Sequence, residues 1–221
     1  TFRAAYIQPV GTSRIFQIRG TCRMSSLRNH ALAAVAVALT GLTSGPGLAD
    51  VATKQPRTAG EVARSLAKLK SHRFTAYITG YAFWDNTPPG SAEISKPVVH
   101  RKAGGTGSYE DPVTIAVGHV IENGRQTLDF PPGTRLYIER LRKYAIVEDV
   151  CGDGYRPQDG PCHTGYKGHP WLDIYIGGSK QSRSETDACA RKITALQEII
   201  VNPEPHFPVA KGEIASSCAV F

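Results

Sequence analysis

From Phe74 onward the chain alternates short apolar runs with Gly- and Pro-rich breaks, the texture of a small all-β protein. The first run is FTAYITGYAFW at 74–84, closed by the turn-forming NTPPGS at 86–91. PVTIAVGH follows at 112–119, then TRLYI at 134–138 behind Pro131-Pro132-Gly133, YAIV at 144–147 and WLDIYI at 171–176. Half a dozen short strands separated by turn signals predict a closed β-barrel, because closure removes the exposed edges that invite pairing with another chain. Residues 50–71 form a polar, Lys-rich lead-in. Within it AGEVARSLAKL at 59–69 has apolar residues at helical spacing and reads as one short helix or as linker. Beyond Gly178 the texture changes. Ser184 is placed to N-cap a helix over Glu185–Lys192, with strand-like Glu198–Val201 and a Pro-rich stretch ending near Cys218 after it. The expected organisation is a barrel over 72–178 and a C-terminal extension over 179–221.

A different pattern precedes this. Met24 opens a stretch with Arg28 as its basic start, an apolar run at Ala31–Leu42, helix-breaking Gly and Pro, and small residues at Gly47-Leu48-Ala49. Residues 24–49 therefore read as a secretory signal peptide, and residues 1–23 as non-native upstream sequence. The apolar run is too short for a bilayer core, which needs about 20 residues, so no membrane association is expected after cleavage. A secreted, extracellular and monomeric protein is expected.

The leader changes the charge argument. The whole chain carries 26 basic and 19 acidic residues, and five of the basic ones are Arg3, Arg14, Arg19, Arg23 and Arg28. Taking these away leaves 21 against 19, a net charge of +2, which is no footprint for nucleic acid. Cys22 also falls in the leader, leaving Cys151, Cys162, Cys189 and Cys218. An even number in an exported chain implies two disulfides. Three pairings are open; the spacing favours Cys151–Cys162 and Cys189–Cys218. A zinc site is the rival reading, but no CxxC pair exists to support it.

The chemistry concentrates between Tyr144 and Gly178. Asp149 follows one β run and Asp173 sits inside another, and a carboxyl held by a rigid sheet is well placed to act as a general acid. A turn-capping role is the alternative for each. The histidines His100, His119, His163 and His169 show no HxH or HExxH spacing, so no metal or other cofactor is expected, while His119 and His163 stand as ligand-binding candidates. Gly104-Gly105-Thr106-Gly107 lacks a following GKS or GKT and reads as a mobile rim rather than a phosphate loop.

Three segments together resemble the double-psi β-barrel superfamily, which includes the three-aspartate domain of bacterial lytic transglycosylases, rare lipoprotein A, barwin and expansins. FTAYITGY at 74–81 resembles the opening strand, PPGTRLYIERLRKYAIVEDVCGDG at 131–154 the central core, and WLDIYIGG at 171–178 the closing strand. The resemblance covers about residues 72–178 and implies a six-stranded double-psi β-barrel, here with a short N-terminal lead-in and a disulfide-tied C-terminal extension. It places Asp149 on the family's catalytic aspartate and Asp173 on its last one. The implied reaction is lytic-transglycosylase-like: one protonated carboxyl cleaves a β-1,4 glycan such as peptidoglycan, and the sugar's own 6-hydroxyl closes an anhydro ring. Such an acid needs a raised pKa, which burial and the neighbouring acids Glu148, Asp153 and Asp173 would supply. A hydrolytic version needs a second carboxyl, for which Asp85 is the candidate ahead of Asp111. Trp84, Tyr81, Tyr109 and Trp171 are candidate sugar-stacking residues. The non-catalytic alternatives are an expansin-like binder of cell-wall glycan and an inhibitor of extracellular proteases acting through a loop around Ala103–Asp111.

Overall fold

The computed structural model describes residues 58–221. The signal-peptide and upstream readings, and the first part of the lead-in, lie outside the described residues. The chain folds as α1 (Ala59–Leu66), β1 (His72–Tyr81), β2 (Val113–Val117), β3 (His119–Glu122), β4 (Arg125–Leu128), β5 (Arg135–Ile138), β6 (Lys143–Val150), α2 (Pro161–Thr164), β7 (Trp171–Tyr175), α3 (Arg183–Ile193), β8 (Ala195–Val201) and α4 (Ile214–Ser217).

Six strands close a barrel in the order β1-β7-β2-β6-β5-β8, with β8 pairing back onto β1. The pairs β1–β7 and β2–β6 are parallel and the other four antiparallel. The closed six-stranded barrel expected from the strand pattern is therefore present. Each strand turns two apolar residues inward: Ala76 and Ile78, Ile115 and Val117, Leu136 and Ile138, Ala145 and Val147, Leu172 and Ile174, Ile199 and Val201. All are fully buried, and the branched side chains among them contribute roughly 1.5–3 kcal/mol each.

The sixth barrel strand lies outside the expected 72–178 boundary. Ala195–Val201, read as part of an appended tail, pairs with β1 on one side and β5 on the other. Its inward residues Ile199 and Val201 follow polar Gln197 on the same buried face, a short run that carries little strand signal until its two neighbours supply the hydrogen bonds. Helix α3 begins two residues earlier than expected. Ser182, not Ser184, is the N-cap, and Glu185 completes a capping box by accepting from the Ser182 amide. The lead-in contains a true helix, α1, capped in the same way by Thr58 and Glu61. The β3–β4 hairpin, absent from the strand reading, turns at Asn123-Gly124; both have positive φ (51° and 72°), as a two-residue hairpin turn requires.

Both disulfides pair as the spacing favoured. Cys151 joins Cys162 and Cys189 joins Cys218, with Cα–Cα distances of 5.8 and 5.6 Å. The first bounds the loop between β6 and α2; the second ties the C-terminal segment to α3. A second apolar cluster of Tyr137, Tyr144 and Ile200 sits outside the barrel under Phe207 and Val209. There the Tyr137 hydroxyl donates to the Pro208 carbonyl (2.7 Å) and that of Tyr144 to the Glu204 carbonyl (2.6 Å). Among the described residues no helix is long and apolar enough to cross a membrane.

The Cys189–Cys218 bond spans 29 residues, so loop closure predicts that replacing both cysteines by serine costs about 3–4 kcal/mol. Urea denaturation would show this as a lower midpoint with a slope no shallower than before, since the uncrosslinked denatured chain exposes more surface; an unchanged midpoint would mean that hydrogen bonds alone hold the extension in place.

Candidate functional site

The alternation that sends Ala76, Ile78, Leu172 and Ile174 inward turns their neighbours outward. On the outer face, β1 and β7 form a ladder of direct cross-strand pairs: Tyr77 opposite Trp171, Thr79 opposite Asp173, and Tyr81 opposite Tyr175. The rings of Tyr77 and Trp171 meet edge-on at 4.7 Å, and those of Tyr81 and Tyr175 lie 5.3 Å apart. Between them the Thr79 hydroxyl donates to Asp173 Oδ1 at 2.6 Å and accepts from the Trp171 indole at 2.8 Å.

Asp149 reaches the same face by a different device. Ala145 and Val147 point inward, and strict alternation would send Asp149 inward too. A β-bulge interrupts the β2–β6 register: Ile115 pairs with Val147, and the next β2 residue, Ala116, pairs with Asp149. Glu148 is the extra residue, and the bulge turns both it and Asp149 outward. Ala116 also pairs with Asp173 across β7. The two aspartates therefore flank one small side chain at one level, two strand spacings or roughly 10 Å apart at the backbone.

A cleft of about 430 Å³ opens above them. Its walls include Tyr81, Asp85, Glu93, Ser95, Ala116, Asp149, Gly152, Asp153 and Asp173. Asp149 is 6% exposed and accepts three hydrogen bonds: from the Tyr81 hydroxyl (3.1 Å), the Ser95 amide (3.1 Å) and its neighbour Val150 (2.9 Å). Among the described residues, Asp173 accepts only from the Thr79 hydroxyl. Burial, aided by the nearby charges of Asp85 and Asp149 and opposed by the Thr79 bond, pushes its carboxyl up to about 7. The Tyr81 phenol is raised well above its usual value, chiefly by burial and then by the charges of Asp149 and Asp173, so it donates as a neutral hydroxyl.

Glu148 holds the cleft's roof. Its fully buried carboxylate accepts through Oε1 from the amides of Val98, Val99 and His100, and through Oε2 from Thr114 and the His100 ring. The opposite ring nitrogen of His100 meets Asp111 at 2.9 Å. This clamp draws residues 95–100 across the end of β6, which is what presents the Ser95 amide to Asp149. Burial would lower the His100 pKa, but the hydrogen bonds and charges of Asp111 and Glu148 outweigh it and the net shift is upward. Burial would raise that of Glu148, and here the His100 and Val99 bonds outweigh it and the net shift is downward.

Of the residues singled out in the sequence, the cleft brings together Asp85, Asp149, Asp173 and Tyr81. Asp85 is exposed and also closes a turn, accepting from the Ala82 amide. The other candidates lie elsewhere. The Trp84 indole donates to the Gly178 and Gln181 carbonyls, which draws the ring against that turn rather than into the cleft. Tyr109 packs edge-on against Tyr144 with Arg135 over its ring, in the cluster beneath the Pro-rich segment. His163 pairs with buried Asp129 (2.8 Å), which also accepts from Arg64 on α1 (3.2 Å). His119 is buried, and burial lowers its pKa. Trp171 reaches Asp173 only through Thr79. The Gly104–Gly107 stretch is held by hydrogen bonds: the Gly104 amide donates to Thr114 and the Thr106 carbonyl accepts from buried Lys143. The sequence reading missed Thr79, although period-2 alternation from Tyr81 places it on the same face. It also missed Ser95, for which no local signal exists. Among the described residues, no group of three or more His, Cys, Asp or Glu could hold a metal ion.

The family described as the DDB_G0273701 N-terminal domain matches residues 73–219, and the chain belongs to it. The match runs from β1 past Cys218, so it includes barrel and extension together. A Dictyostelium discoideum relative, described as uncharacterized protein DDB_G0273701/DDB_G0273221, is 30% identical over 131 residues, or 59% of this chain and 52% of the relative. The chain thus spans about half the length of that relative. No solved structure matches.

The two shifts at the roof fix a pH dependence of stability. The His100 contribution is complete below about 6.5, the usual imidazole value, and is lost as pH rises through its elevated folded value. The Glu148 contribution is complete above about 4.5 and is lost as pH falls through its depressed folded value. The raised Asp173 carboxyl contributes a fall in stability as pH rises from about 3.8 to about 7. Beside that fall, His100 and Glu148 are expected to lower denaturation midpoints above about 6.5 and below about 4.5 respectively. His100→Asn should flatten the alkaline limb, and a limb unchanged in that variant would remove His100 from the account.

Proposed function

We propose that this member of the DDB_G0273701 N-terminal domain family is a secreted polysaccharide-acting protein that cleaves a β-1,4-linked glycan at the acidic cleft, in the manner of lytic transglycosylases. The observation that carries the reading is the pair of dissimilar carboxyls on one outer face. Asp173 is pushed up to about 7 by burial, while Asp149 accepts three hydrogen bonds. Two carboxyls whose environments separate them in this way divide the acid and base roles between them. The finer fold assignment, a double-psi β-barrel, is supported by the two parallel strand pairs enclosed among antiparallel ones. Two disulfides support an extracellular location.

The geometry modifies the expected roles. Asp149 was the single acid of the resemblance; its oxygens are engaged as acceptors, and the carboxyl suited to hold a proton near neutrality is Asp173. Protonated Asp173 gives its proton to the glycosidic oxygen as the C1–O bond breaks. Asp149 then takes the proton of the 6-hydroxyl as that oxygen closes on C1 to form the 1,6-anhydro ring. Tyr81 bridges the two roles by donating to Asp149 from a ring that lines the cleft.

Hydrolysis is the second reading. A backbone separation of roughly 10 Å across Ala116 is compatible with the carboxyl spacing of about 6.5–9.5 Å at which inverting enzymes accommodate a water. The non-catalytic alternatives draw their support from Tyr155. It stands 97% exposed on the disulfide-bounded loop whose Gly152 and Asp153 wall the cleft, and it suits either sugar stacking or a protease pocket.

Incubating the protein with purified peptidoglycan and with amorphous cellulose, and reading soluble products by mass spectrometry, separates these cases. Asp173→Asn and Asp149→Asn are each expected to lower the rate by roughly 10²–10⁴-fold. Anhydro-sugar ends identify lytic cleavage and ordinary reducing ends identify hydrolysis. Polymer binding without fragments from either substrate overturns the enzyme reading.

A further inference from the structure

The outer-face ladder contains a hydrogen-bond chain that runs in one direction only. An indole N–H can donate but never accept, so the 2.8 Å contact from Trp171 Nε1 to Thr79 Oγ1 makes the threonine oxygen the acceptor. The hydroxyl has one proton, and Asp173 Oδ1 at 2.6 Å is its sole acceptor among the described hydrogen bonds. Oδ1 is therefore occupied as an acceptor, and a proton on this carboxyl belongs on Oδ2. The chain is rigidly built. Trp171 pairs with Tyr77, and Thr79 with Asp173, in direct register across two parallel strands, and the Tyr77 ring closes edge-on against Trp171 while stacking on Tyr166.

We propose that Thr79 and Trp171 are positioning residues for Asp173, fixing its proton on Oδ2 and stabilising the carboxylate that remains after the proton has left. The proposal rests on the reading of Asp173 as the proton donor of the cleft. Neither residue touches the glycan in this scheme. As the proton passes from Oδ2 to the glycosidic oxygen, negative charge grows on the carboxyl, and the bond from Thr79 to Oδ1 becomes charge-assisted and stronger. The indole N–H polarises that hydroxyl in the same direction. This gives Trp171 a function without the sugar contact expected of it, and explains why a threonine rather than a larger β-sheet residue stands opposite the aspartate. The ionisable groups facing Asp173 are Asp85 from the loop after β1, Asp149 from β6 and Tyr81 from β1. The first two carry charge that the chain offsets.

The test is to follow the Asp173 carboxyl carbon by NMR through a pH titration, beside the pH–rate profile on peptidoglycan. Thr79→Val keeps the shape and removes the hydroxyl; it is expected to raise the Asp173 pKa by roughly one unit, the worth of one hydrogen bond to a charged group. The limb that falls on the alkaline side, set by loss of the Asp173 proton, should move with it to higher pH, and kcat should fall about ten-fold with KM little changed. Thr79→Ser should restore both. Trp171→Phe keeps the ring against Tyr77 but loses the N–H, and should shift the titration the same way by less. If Thr79→Val does not fold, the Trp171→Phe titration decides alone. An Asp173 titration that does not move in any folded variant overturns the positioning role. A titration that moves as expected in a protein that cleaves no glycan leaves the chain established and overturns the reading in "Proposed function" instead.

Discussion

Burying an ionised carboxylate is costly unless its oxygens are fully hydrogen-bonded, and Glu148 meets that condition with three backbone amides, a threonine hydroxyl and a histidine ring. Much else in the molecule follows from this one group. Glu148 is the extra residue of the bulge that resets the phase of β6. Had β6 continued its alternation, Asp149 would follow Ala145 and Val147 into the apolar interior, where no partner awaits it. The same carboxylate gathers the amides of residues 98–100 and so lays the long β1–β2 connection over the end of the barrel. The Ser95 amide then falls on Asp149. A single buried acid thus both turns the cleft residue outward and builds the roof above it.

The cleft's two carboxyls illustrate how neighbours of the same residue type are made different. Asp149 stands at a strand end where a bulge, a loop amide and a tyrosine converge. Asp173 stands within a strand, where the backbone amides already serve the ladder and its donor among the described residues is the Thr79 side chain opposite. Burial, aided by the charges of Asp85 and Asp149 and opposed by the single Thr79 bond, raises it. The contrast arises from where each residue sits in the sheet, and Ala116 between them supplies the space in which a substrate atom could lie near both.

The C-terminal segment is part of the barrel and also its brace. Strand β8 closes the ring between β1 and β5, the Pro-rich stretch covers the outward tyrosines of β5 and β6, and Lys143 holds the carbonyls of Thr106 and Gly212 together. The family match over residues 73–219 has the same extent as this unit. Barrel and extension cannot be separated without opening an edge of the sheet.

Local patterning determined what depends on neighbours in sequence. The inward pairs such as Leu172 and Ile174, the turns at Pro132-Gly133, the cysteine pairing and the two aspartates of the central segment all follow from spacing and residue type. Most of the site did not. Strict alternation in YAIVEDV turns Asp149 inward, and only the β2 register, with Ala116 opposite Asp149 instead of Glu148, reverses it. Trp84, Tyr109 and His163 have the composition of ligand-binding residues, yet each is consumed by a partner distant in sequence: the Gly178 carbonyl, Tyr144 and Asp129. Alternation from Tyr81 gives Thr79 its face, but its partner Asp173 is set only when β7 lies beside it. Burial, register and the identity of the opposing side chain are properties of pairs of segments, and such pairs exist only once the barrel has closed.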